Sequence, residues 1–114
     1  MNTSNQFLII NIASEFASTP GARDSDEGIF SGQEFLKTIL LPKFQQAVDS
    51  NIKLLVELDN VEGYATSFLE EAFGGLARQY GSEKVLKHLE FKCLDEPLLE
   101  DEIKMYIQEA NVAA

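Results

Sequence analysis

IKLLVELDNVEGYATSFLEE, residues 52–71, decides the fold. Its first seven residues, 52–58, are rich in Leu, Val and Ile and read as a strand buried on at least one face. The acidic, Gly-containing segment Asp59 to Tyr64 then reads as a turn. From Ser67 to about Tyr80, Phe68, Leu69, Ala72, Phe73, Leu76 and Tyr80 recur at helical spacing. A strand, a tight turn and an amphipathic helix make half of a β-α-β unit, so this segment predicts an α/β chain.

The flanking sequence repeats the alternation. FLIINIA, residues 7–13, is β-rich and nearly all apolar, which reads as a buried strand. Residues 14–30 form a long polar loop, with a short edge strand expected near Gly28–Phe30. A helix then starts at Ser31: Ser31 and Glu34 form a capping box, and Phe30 and Phe35 a hydrophobic staple. Phe35, Ile39, Leu40, Phe44, Ala47 and Val48 continue it, with a kink or break expected at Pro42. Gly74-Gly75 falls inside the next helix and suits close packing against the sheet, and Gly81 suits its end.

Residues 82–87 read as a further helical turn. HLEFKCL alternates as a strand, with Leu89, Phe91 and Cys93 on one face. The last helix is expected from Pro97 to about Ala110, ahead of a frayed tail at 111–114. The whole predicts one domain, 1–114: a small α/β sandwich whose mixed, partly parallel sheet of about four strands carries three main helices.

Composition narrows the function. A net charge of −10 argues against nucleic acid and against anionic membranes, which both need a basic footprint. The same charge permits a basic protein partner, and by itself it also reads as simple solubility. With one cysteine and one histidine, neither an internal disulfide nor a Cys/His zinc site is available to one chain. The N-terminus lacks a basic segment ahead of its short apolar run, so a cytoplasmic protein is expected. No phosphate-binding G-x-x-x-x-G-K loop, G-x-S-x-G elbow or metal motif is present. An acid, base and nucleophile set cannot be assembled around His88 either, so no catalytic residue, metal or cofactor is assigned and a non-enzymatic role is expected.

In open α/β sheets, function concentrates beyond the carboxyl ends of the strands, where residues 58–67 fall. Two readings are open for Ser67. With Glu70 it makes a capping box for the helix it begins. Alternatively it forms, with Thr66, a hydroxyl pair at a helix start, a position that favours phosphate. Phe68 likewise reads as core or as an exposed anchor beside Tyr64. Arg23, in a polar Gly/Pro loop, could clamp Asp24 or Asp26, reach an anion with Ser31 at the end of that loop, or stay in solvent.

At this stretch the chain resembles the STAS domain of bacterial anti-sigma factor antagonists. Those domains have a strand ending in Leu-Asp, a turn, and a Ser/Thr at the start of the next helix. Leu58-Asp59 and Thr66-Ser67 occupy these places. The chain departs from that pattern at Ala65, where an acidic residue is usual, and at Phe68, where a glycine is usual. A closer resemblance is to a bacterial STAS-like family of unknown function, often encoded beside or fused to GHKL-type ATPases. Its motifs look like Pro20-Gly21-Ala22-Arg23, Gly28 to Phe35, Leu40 to Pro42, and Ser67 to Gly74.

The resemblance implies a regulatory protein-interaction module that binds a GHKL-type ATPase or serine kinase, with Thr66 and Ser67 as candidate phosphoacceptors. Asp59, Glu62, Gly63, Tyr64, Phe68 and Glu71 would then form the partner face. A constitutive module, holding a protein or a small anion through loop 19–32, is the alternative.

Overall fold

The structure, a computed structural model, describes residues 7–20 and 31–110. Arg23, Asp24, Asp26, the strand expected near Gly28–Phe30, the Phe30 half of the staple and the 111–114 tail lie outside these. The described elements are β1 (Phe7–Asn11), α1 (Ile12–Glu15), α2 (residues 32–50), β2 (Lys53–Glu57), α3 (residues 66–80), α4 (Ser82–His88), β3 (Leu89–Lys92) and α5 (Leu99–Ala110).

Among the described residues the sheet has three strands, in the order β1-β2-β3, and every pairing is parallel. Of the about four strands expected in a mixed, partly parallel sheet, these three are all parallel, and the one expected near Gly28–Phe30 lies outside the described residues. Among the described residues five helices stand: the three main ones expected, α4, which extends the helical turn read at 82–87 to seven residues, and the unexpected single turn α1. Strand register puts Ile10, Leu54, Val56 and Leu89 toward the helices, and all four belong to one core cluster. The opposite sheet face is open. Phe7 and Ile9 on it are 41% and 46% exposed, so β1 is buried on one face only and not on both.

Helix α2 does not break at Pro42. Its first turn, Gly32–Phe35, passes into a π-helical segment, Leu36–Leu40, and then into an α-helix, Leu41–Ser50. In the π-helical segment the Leu41 N–H reaches back to the Leu36 carbonyl. The wider turn ends where proline, which lacks an N–H, enters at the start of the following helix. Asn51 closes α2 in the left-handed conformation (φ 56°), and the Ile52 N–H returns to the Ala47 carbonyl at 3.0 Å.

Helix α3 follows the same α–π–α plan: Thr66–Leu69, Glu70–Gly74 and Gly75–Tyr80. Of the two glycines here, Gly74 faces the Glu70 and Arg78 side chains of its own helix, and Gly75 serves helix–helix contact. A Cβ on Gly75 would stand 2.7 Å from a Leu36 methyl of α2, so this glycine admits α2 rather than the sheet. Gly81, at φ 91°, ends α3 as its sequence position suggested.

His88 closes α4 instead of opening a strand, and Cys93 lies past the end of β3, half-buried. Helix α5 begins at Leu99, not at Pro97, because a turn intervenes in which the Leu99 N–H bonds to the Glu96 carbonyl. Among the described residues no helix is long and apolar enough to cross a membrane.

Candidate functional site

The turns leaving β2 and β3 meet at the carboxyl end of the sheet. The ladder extends one residue further, with the Leu58 N–H on the Lys92 carbonyl at 2.9 Å. Asp59 then reaches across. Its carboxylate accepts from the backbone N–H groups of Leu94 (2.9 and 3.0 Å) and Asp95 (2.9 Å). Asn60, left-handed at φ 69°, turns its own N–H toward the Asp95 carboxylate at 3.4 Å. The Leu-Asp that ends the strand thus ties one loop to the next.

These hydrogen bonds favour the charged carboxylate. The backbone N–H of Asp95, then that of Leu94, hold the Asp59 acid below its ordinary pKa. A depressed folded-state pKa stabilises the fold above the unfolded value, and that contribution is lost as pH falls through the folded one. An NMR titration is therefore expected to show the Leu94 and Asp95 amide shifts moving together, with a midpoint below the usual aspartate value. A midpoint at or above that value would rule the clamp out.

The rest of the turn is fixed to its surroundings. Tyr64 donates its phenol to the Leu58 carbonyl at 2.8 Å, and burial raises its pKa above that of an ordinary tyrosine. The Glu62 N–H bonds to the Ser18 carbonyl at 2.9 Å, which brings the chain after α1 against this turn. Glu62 and Gly63 themselves are exposed.

Thr66 and Ser67 differ in setting. Ala65 occupies the N-cap, no side-chain cap bond forms, and Thr66 is the first helical residue. The reading of Ser67 as a cap is therefore overturned: Ser67 lies one residue too far inside the helix, and it is half-buried. Thr66 is exposed, and its side chain neighbours the Tyr106 phenol. Tyr106 donates to Glu102 at 2.6 Å, and this bond raises the Tyr106 pKa.

Two further expectations are corrected. Phe68 is 0% exposed, packed against Phe16, Phe35 and Tyr64 at ring separations of 5.6–6.2 Å, so it is core and not a partner anchor. Ser31 is also fully buried, and its hydroxyl accepts the Glu34 N–H at 3.0 Å. Its hydroxyl is thus turned to the backbone of α2 as the helix cap, and the loop it was expected to serve with Arg23 lies outside the described residues. Glu71 sits beside Arg78 (3.9 Å), which pairs more closely with Glu70 (2.9 Å).

Between the two turns lies a cavity of about 290 Å³. Leu58, Val61, Tyr64, Cys93 and Leu99 supply apolar wall, and Glu62, Asp95, Glu96 and Glu102 supply every charge. Sequence reading found the β2 side of this site, from Leu58 to Thr66. It missed the β3 side, residues 93–99, which joins only through the parallel pairing. The signal it held was faint: three leucines around a proline in an acidic run, LDEPLLE.

A family model for the STAS-like domain of unknown function (DUF4325) matches residues 31–99, more than half of the chain. The chain belongs to this STAS-like family. No curated protein and no solved structure matched the chain. The matched span of this STAS-like domain takes in α2, β2, the turn 59–65, α3, α4, β3 and the turn that Asp59 holds.

Proposed function

We propose that this STAS-like domain is a non-enzymatic regulatory module. It docks a protein partner of the GHKL-type ATPase or serine-kinase class on the turn after β2, and phosphorylation of Thr66 switches that contact. The observation that carries the reading is the position of Thr66. It is an exposed hydroxyl on the first residue of α3, beyond a strand ending in Leu-Asp, with Glu62 and Gly63 exposed beside it. The half-buried Ser67 is the poorer acceptor of the two.

The switch would be electrostatic. A phosphate adds about −1.5 to −2 charges at neutral pH. At Thr66 it would lie near the Tyr106–Glu102 pair, in a neighbourhood that already holds Glu62. A partner surface seated there would meet charge it cannot solvate, and like charges in contact weaken association strongly.

The constitutive alternative keeps the same face without modification. The Tyr106 phenol beside Thr66 favours it, because a kinase would have to approach the hydroxyl past that side chain.

One experiment separates the two. The protein is isolated from its own cells and phosphopeptides are mapped, and the purified domain is then incubated with ATP and the GHKL-type ATPase encoded nearest to it. The expected result is a single phosphate on Thr66, lost in Thr66→Ala and retained in Ser67→Ala. Phosphorylated protein, or Thr66→Glu, should bind the ATPase about tenfold or more weakly, roughly 1.4 kcal/mol. Equal binding by both forms would eliminate the switch.

A further inference from the structure

Leu94 and Leu98 are the most exposed large hydrophobic residues among those described, at 76% and 75%. A single exposed leucine is unremarkable in a soluble protein. These two share one short turn, and the residues between and beside them, Cys93, Asp95, Glu96 and Leu99, line the cavity at the carboxyl end of the sheet. The turn is also rigidly held. The Asp59 carboxylate takes two of its backbone N–H groups, and the Cys93 thiol donates to the Glu96 carbonyl at 3.2 Å. Apolar groups displayed on a fixed turn lose little conformational freedom on binding.

The shape and charge of the cavity narrow the occupant. At about 290 Å³ it stands at the small end of ligand-site volumes, and it suits one large side chain. Its four charged residues are all acidic, and Lys92, whose charge acts weakly on Asp59, does not line it. Among the described residues no three His, Cys, Asp or Glu side chains are grouped to hold a metal ion, so this charge is spread around the mouth and not focused on a point. Partner anchors that dominate binding are commonly single apolar or aromatic side chains seated in such pockets.

We infer that this cavity and the turn 93–98 form a docking surface for a basic segment of a partner protein. One Leu or Phe of that segment fills the cavity, its neighbouring Lys or Arg residues face Glu62, Asp95, Glu96 and Glu102, and Leu94 and Leu98 close over its flanks. The inference deepens the proposed function by naming the partner's chemistry, and it rests on the turn after β2 being a docking face.

The test uses the full chain and short fluorescein-labelled peptides rich in Lys and Arg with one central Leu or Phe. Fluorescence anisotropy should show binding that weakens about tenfold when the central residue becomes Ser, and again when salt is raised. A Leu94→Ser, Leu98→Ser double variant should lose a similar factor, with circular dichroism and melting temperature unchanged, since both sites are exposed. Glu62→Lys with Glu96→Lys should do the same. Amide shift changes should centre on Val61, Leu94, Leu98 and Leu99.

Several results would overturn the inference: no binding by any peptide, binding indifferent to the central residue, or shifts centred on Phe7 and Ile9. A dimer seen by sedimentation that the leucine double variant disrupts would make a second copy the occupant instead. Failure here is separable from failure of the switch. If the peptides do not bind but Thr66 phosphorylation still releases the ATPase, only the basic-segment inference falls. If the peptides bind and Thr66 is never modified, only the switch falls.

Discussion

Phe68→Ala is expected to destabilise the fold by about 3–5 kcal/mol, the usual loss for emptying a buried aromatic site. The ring is fully buried and touches three others, those of Phe16, Phe35 and Tyr64, at centroid separations of 6.0, 5.6 and 6.2 Å. Phe35 in turn meets Phe73, so the cavity would open at the centre of the contact between α2 and α3. Small domains have only about 5–15 kcal/mol in total, so the variant should unfold at markedly lower urea. The measurement also separates core from interface. Phe68→Leu, folded at assay temperature, should bind its partner as the parent does. A Phe68→Ala protein of normal stability but without partner binding would show that this ring serves the interface.

Gly32→Val should cost about 3 kcal/mol, for a different reason. A Cβ built on Gly32 lies 2.6 Å from the Phe68 carbonyl oxygen and 3.2 Å from the Phe68 Cα. Both atoms are backbone, so no rotamer change relieves the clash; α2 must move off α3. Overpacking of a well-packed contact typically costs about 1–3 kcal/mol, and a branched side chain falls at the upper end. Gly32→Ala should lose less, about 1–2 kcal/mol, because alanine recovers part of the loss through its helix propensity. Gly63→Ala is the control. Nothing lies within 4 Å of its added methyl, and its stability should stay within about 0.5 kcal/mol of the parent. Equal urea midpoints for the Gly32 and Gly63 variants would refute the close approach of the two helices.

The close contact at Gly32 bears on the site as well. Ser31 caps α2 immediately before it, and Phe68 follows Thr66 and Ser67 by one turn's start on α3. The α2 N-terminus therefore buttresses the first turn of the helix that carries the candidate phosphoacceptor. Movement of α2 away from α3 should disturb the Thr66 environment before it disturbs the sheet. That is one reason for tracking Thr66 and Tyr106 resonances in the Gly32 variants.

Much of this architecture was legible in the residues. The strands at 53–57 and 89–92, the helix ends at Ser31 and Gly81, and the core positions Phe35, Phe44, Leu76 and Ile103 follow from period and capping, which act over a few residues. The position of Thr66-Ser67 beyond a Leu-Asp strand end was legible in the same way, because strand, turn and helix start are contiguous there. Local pattern failed where two signals competed. Ser67 carried an S-x-x-E motif, yet the helix starts one residue earlier, on Thr66. Pro42 signalled a break, yet a π-helical turn ahead of it lets the helix continue.

What the sequence determined by itself was the β/α alternation, the apolar stripes of the helices and the place of the hydroxyl pair, since each is encoded by neighbours in the chain. Tertiary structure alone decided which of those residues are available. It buried Phe68 among rings from distant segments and left one sheet face open. Through parallel pairing of β2 with β3, it brought Asp59 to Leu94, thirty-five residues away, and assembled the acid-rimmed cavity from two turns. Exposure and cross-strand contact depend on where distant segments pack, and no periodicity within one segment records that.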